Sequence, residues 1–90
     1  MRLEKDARGD FVVEPGILAR KLSIREDELR HRMRLGQVTS MVERGEGDDA
    51  GCERLSVRCG DMVWRAVVDA GLNVLSQEAF DLRYRRRSPE

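Results

Sequence analysis
Ninety residues make one domain, and a chain this short buries only roughly 60–65% of its unfolded surface, so help from a second subunit is plausible. Formal charge is zero, from 17 basic and 17 acidic side chains, so overall charge selects no polyanionic partner. No apolar run approaches the ~18 residues that span a bilayer, and the start MRLEKDARGD lacks a signal-peptide apolar region, so a cytoplasmic protein with no membrane partner is expected.

Residues 1–9 are polar and read as a flexible N-terminus, with Leu3 as the one position where a strand could begin. Asp10–Val13 reads as a short strand that adds to the sheet. Pro15 suits the first position of a helix, where its missing N–H costs nothing. That helix runs to about Leu22, with Leu18 and Leu22 four apart on one face. Ser23-Ile24-Arg25-Glu26 has the spacing of a capping box for a second helix. Leu29 and Met33 form its buried stripe, and Gly36 closes it. Glu26 with Arg30 and Glu28 with Arg32 are i,i+4 ion pairs.

Residues 36–74 carry the alternation of strands between turn residues. Gln37–Arg44 places Val38, Ser40 and Val42 on one face and Thr39 and Met41 on the other. Cys52–Cys59 alternates Leu55, Val57 and Cys59 against Arg54, Ser56 and Arg58. Met62–Asp69 sets Met62, Trp64, Ala66 and Val68 against Val63, Arg65 and Val67, as a central strand would. Leu72–Ser76 allows a short fourth strand. Gly60-Asp61 is a two-residue hairpin turn, and such short connections make neighbouring strands antiparallel. The expected fold is α+β: a short leading strand, two helices, then a three- or four-stranded antiparallel meander that the helices cover on one face. The single domain spans 10–78, and 79–90 is a basic C-terminal tail with Phe80 and Tyr84.

Charge is uneven along this frame. Residues 20–35 hold six basic and three acidic side chains, net +3; residues 43–53 hold one and five, net −4; residues 81–87 are net +3. The candidate chemistry is thin. Cys52 and Cys59, seven steps apart on one strand, lie roughly 23 Å from each other, far beyond disulfide reach, and read as reduced thiols. One histidine, His31, and two separated cysteines make no zinc site. Glu46, Asp48 and Asp49 lack the register of a calcium loop. No nucleophile is paired with a base. Neither an enzyme nor a cofactor is expected.

Ile17–Val38, ILARKLSIREDELRHRMRLGQV, resembles a helix-turn-helix of the excisionase-like kind over about a quarter of the chain. The resemblance implies a reading helix with Arg30 and Arg34 turned outward, a following hairpin as a wing, and the tail arginines Arg83, Arg85, Arg86 and Arg87 on phosphate. Glu26, Asp27 and Glu28 at the start of that helix would repel phosphates, which ranks nucleic acid second. Gly36–Gly51, GQVTSMVERGEGDDAG, with Arg54-Leu55 and Val68-Asp69, resembles a family of small bacterial proteins of unknown function; the resemblance covers most of residues 10–76. It implies a small shared domain and no activity. The expectation is a non-enzymatic binding or regulatory module that acts through protein–protein contacts with an unidentified partner or as a homodimer. The alternative is a winged helix-turn-helix DNA binder.

Overall fold
The computed structural model describes residues 1–85, apart from the side chains of Asp49 and Arg85. The chain runs β1 (Glu4–Lys5), β2 (Phe11–Val12), α1 (Pro15–Leu22), α2 (Glu26–Arg34), β3 (Val38–Arg44), a 3-10 turn (Gly47–Asp49), β4 (Glu53–Cys59), β5 (Met62–Val68), β6 (Val74–Asp81) and α3 (Leu82–Arg85). The four long strands form one antiparallel sheet in the order β3-β4-β5-β6, so the α+β meander is present with four strands. β1 and β2 pair only with each other, in a separate two-stranded ribbon.

The register fixes which side chains share a face. Val38, Ser40 and Val42 stand opposite Cys59, Val57 and Leu55, and these oppose Met62, Trp64 and Ala66 on β5. This is the apolar layer that the alternation predicts. Leu18, Ala19 and Leu22 from α1 and Leu29 from α2 close over it, and Trp64 is buried among them at 1% exposure. The indole N–H of Trp64 donates to Gln77 Oε1 at 3.0 Å, so its polar atom is satisfied inside the fold. The buried side chains of α1 and α2 all belong to this one cluster, on this one face. On the other face Val63 is buried outside the main cluster, opposite Phe80, and the Arg65 guanidinium sits 5.3 Å above the Phe80 ring. Glu43 and Arg54, directly opposite in register, form a cross-strand ion pair at 2.7 Å on that face.

Both helices end on the same device, with different residues. Gly36 (φ 71°) donates its N–H to Met33 C=O, and Gln37 donates to Arg32 C=O at 2.9 Å, a Schellman closure with the expected glycine. Ser23 holds the equivalent place in α1: φ is 60°, its N–H bonds Arg20 C=O, and the Ile24 N–H bonds Ala19 C=O. The capping-box reading of Ser23 is therefore corrected. The residue closes the first helix instead of opening the second, which starts at Glu26 behind Arg25 with no side-chain cap. A left-handed serine carries the Cβ penalty that glycine avoids. Ser23→Gly is expected to raise stability by about 0.5–1 kcal/mol, after allowing for the freer unfolded chain, and a urea midpoint measures it.

Other expectations are corrected by tertiary packing. Met33, placed in the buried stripe of the second helix, is 44% exposed; Leu29, at 0%, alone is fully buried on α2. The strand at Phe11–Val12 does not join the main sheet, because Glu4–Lys5 takes its backbone groups. The last strand runs on through residues 77–81, past the Ala79 boundary drawn from composition, since β5 has a second edge to pair. The start of the chain, read as frayed, carries Leu3 into the core at 3% exposure. Leu3 N–H bonds Leu72 C=O and Val74 N–H bonds Met1 C=O, both at 2.8 Å. Lys5 reaches Glu53 at 2.7 Å.

Two aspartates hold the far turns. The Asp69 carboxylate accepts the N–H groups of Asn73 and Gly71, each at 2.9 Å, and so fixes a loop in which Leu72 is left-handed at φ 69°. Asp81 accepts from the Arg83 guanidinium at 2.7 Å and from the Arg83 N–H at 2.9 Å. The Asn73 N–H above all lowers the Asp69 pKa, and the Arg83 guanidinium lowers that of Asp81. The Arg32 guanidinium lowers Glu28 in the same way. With folded values below unfolded ones, the unfolded state binds more protons in between. The stabilisation is complete above the ordinary carboxylate range near pH 4 and is lost as pH falls through the depressed values. A melting temperature flat from about pH 7 to 5 and falling below about 4 is expected. Asp69→Asn should flatten the acid limb.

Candidate interaction surface
The antiparallel sheet has two edges, and they differ. β6 is partly covered at its start by Met1–Leu3, through the Val74 bond to Met1 and the bridge between Arg2 and Asn73. β3 has no such cover among the described residues. All of it except Val38 is exposed, it pairs with β4 in unbroken register, and its sequence, VTSMVER, holds neither proline nor lysine. Proline and lysine are two of the devices that blunt a sheet edge, and the charges β3 does carry, Glu43 and Arg44, stand at its end.

Backbone alternation decides what this edge offers. The Gly45 N–H bonds Cys52 C=O at 2.8 Å, so Gly45 and Cys52 are a hydrogen-bonded pair. Alternation makes Glu43, Met41 and Thr39 bonded pairs with Arg54, Ser56 and Arg58. The odd-numbered residues thus direct their backbone groups to β4. Val38, Ser40, Val42 and Arg44 turn theirs outward, where no strand among the described residues receives them.

Apolar side chains gather along the same stretch. Eight large apolar side chains are exposed among the described residues, and four of them, Met33, Leu35, Met41 and Val42, fall between residues 33 and 42. Met41 reaches 60% exposure. They run from the end of α2 through the turn into β3. Sequence reasoning missed this edge, although the signal was present: the first long strand of a meander has a neighbour on one side only.

The arginines proposed from sequence do not converge with it. Arg30 is held by Glu26 at 2.8 Å on exposed α2, and Arg34 is exposed one turn on. Arg83 is tied to Asp81 and lies 3.6 Å from Asp61, at the opposite edge of the sheet. The side chain of Arg85, and Arg86 and Arg87 entirely, lie outside the described residues. His31 is exposed on α2, and Cys52 and Cys59 are free thiols. A shallow cavity of about 370 Å³ at the base of the β3–β4 connection is lined by Arg44, Cys52, Glu53 and the paired Glu43 and Arg54. Two of its charged pairs are already made, Lys5 with Glu53 and Arg54 with Glu43.

Fold and surface define a small α+β domain built on an antiparallel meander, with one sheet face under helices and one edge open. Among the described residues no helix is long and apolar enough to cross a membrane. The chain belongs to DUF6522, a family of unknown function, whose model matches residues 1–88. Neither the curated proteins nor the solved structures hold a match to it.

Proposed function
We propose that the domain is a non-enzymatic, cytoplasmic module that works by protein–protein contact and self-associates. The observation that carries this reading is the exposed apolar run Met33, Leu35, Met41 and Val42 beside an open strand. Exposed apolar side chains next to unpaired backbone groups favour a protein partner over solvent. Sedimentation velocity across about 1–100 μM, the range in which interfaces of ordinary size assemble, checks it. A mass above the 10.3 kDa of one chain is expected, and monomer throughout would remove self-association.

One observation favours a second reading, DNA binding through α2. A three-residue turn, Ser23–Arg25, joins the helices, and α2 fully buries Leu29 alone, which leaves Arg30, His31 and Arg34 outward. A DNA binder of this kind is retained on duplex DNA at low salt and released steeply as salt rises. Passage without retention at low ionic strength would end that reading.

A further inference from the structure
We propose that the partner on the open edge is a second copy of this chain. The two β3 strands pair antiparallel across a two-fold axis at Met41 and fuse two four-stranded sheets into one of eight. The inference rests on the self-association reading above and adds to it the surface and the register.

Symmetry and backbone chemistry select this register together. β3 spans residues 38–44, and its midpoint is Met41. A two-fold axis there sets Ser40 opposite Val42 and Val38 opposite Arg44. These are the residues whose N–H and C=O groups point outward, so each pair exchanges two hydrogen bonds. An axis lying between two residues would set outward-turned residues against residues already bonded to β4, and the ladder would not form. Moving the axis by one residue, to Ser40 or Val42, keeps the parity but takes the pairing beyond the strand at one end and leaves residues unpaired at the other.

The side chains agree with the central register. Met41, the most exposed residue of the apolar run, meets its own copy in a non-hydrogen-bonded pair, where side chains approach closest. Thr39 faces Glu43, so the strand's charged residues never meet a like charge. A contact in which the same patch serves both partners closes after two copies and does not propagate. The absence of proline, bulge and lysine, which would be a liability on a permanently bare edge, suits an edge that is paired.

Three variants test this. Val42→Pro removes an outward N–H while leaving the bonds to β4 intact, since proline is tolerated where the missing donor faces outward. Met41→Arg sets two guanidinium groups against each other at the axis. Each should weaken dimerisation on the order of a hundredfold, with the far-UV circular dichroism of the monomer unchanged. Met41→Cys, in a Cys52→Ser background, reads the register. Only an axis at residue 41 brings the two Cα atoms to about 4.5 Å, within the span a disulfide closes. Covalent dimer under mild oxidation is expected. A wild-type dimer that persists in both Val42→Pro and Met41→Arg, or a Met41→Cys variant that stays uncrosslinked while dimeric, would overturn the β3 assignment and leave self-association standing. A wild-type chain that is monomeric at 100 μM, a concentration where specific homodimers of this kind form, would overturn both.

Discussion

Replacing Trp64 with alanine is expected to destabilise the domain by about 3–5 kcal/mol, the range for removing a buried aromatic. The side chain lies at the centre of the apolar layer at 1% exposure, between the strands beside β5 and the helices above. Its loss would open a cavity inside the cluster that also holds Leu22, Leu29, Val57 and Val68, and would strip Gln77 of its indole donor. A chain of this length has only about 5–13 kcal/mol in hand. A large part of the population should therefore unfold at moderate temperature. Denaturant titration by circular dichroism measures the change. A shift below about 1 kcal/mol would mean that Trp64 is not the centre of the packing.

The second large effect is expected at Leu3. Leu3→Ala should cost about 2–5 kcal/mol, as for other fully buried leucines, although the residue sits in a polar stretch where it is the one position at which a strand could begin. Its side chain is 3% exposed in the same cluster as Leu55 and Trp64, and its backbone is bonded to Leu72. Val12, 48% exposed on the neighbouring strand, supplies the contrast: Val12→Ala should stay within about 0.5 kcal/mol. Equal, small losses at both sites would mean that the first residues do not pack as described.

What could be read before folding was what the chain encodes locally. The extent of α1, the closing role of Gly36, the Gly60-Asp61 turn and the two faces of β4 and β5 all follow from periods and turn chemistry within a few residues. What could not be read depends on distant partners. Leu3 is buried in a cluster drawn from α1, α2, β4 and β5, and its backbone is held there by Leu72. The stretch Ser76-Gln77-Glu78-Ala79 becomes a strand only because β5 has an edge left, and with both its faces near water it shows little alternation. Ser23 misled because one spacing serves two purposes: serine before an acidic turn signals a helix start, while this backbone uses the position to end one. The surface was less legible still. Arg30, Arg34 and Arg83 stand out in one dimension, yet two of the three are neutralised by carboxylates close in sequence. The open edge has no marker residue; it is a property of strand order.

The bond from Leu3 to Leu72 joins two ends of the domain, and this bears on how the protein is made. During synthesis Leu3 leaves the ribosome well before residues 72–74, beside which it docks. Local closures such as α1 and the β4–β5 hairpin form early, because little chain must be looped to bring their parts together. Met1–Leu3 must wait, solvated, for residues 72–74 to emerge, whereas Glu4–Lys5 finds its partner strand within a few residues. The polar composition of the opening stretch, MRLEKDARGD, with one leucine, suits a segment that spends translation exposed without drawing other nascent chains to it.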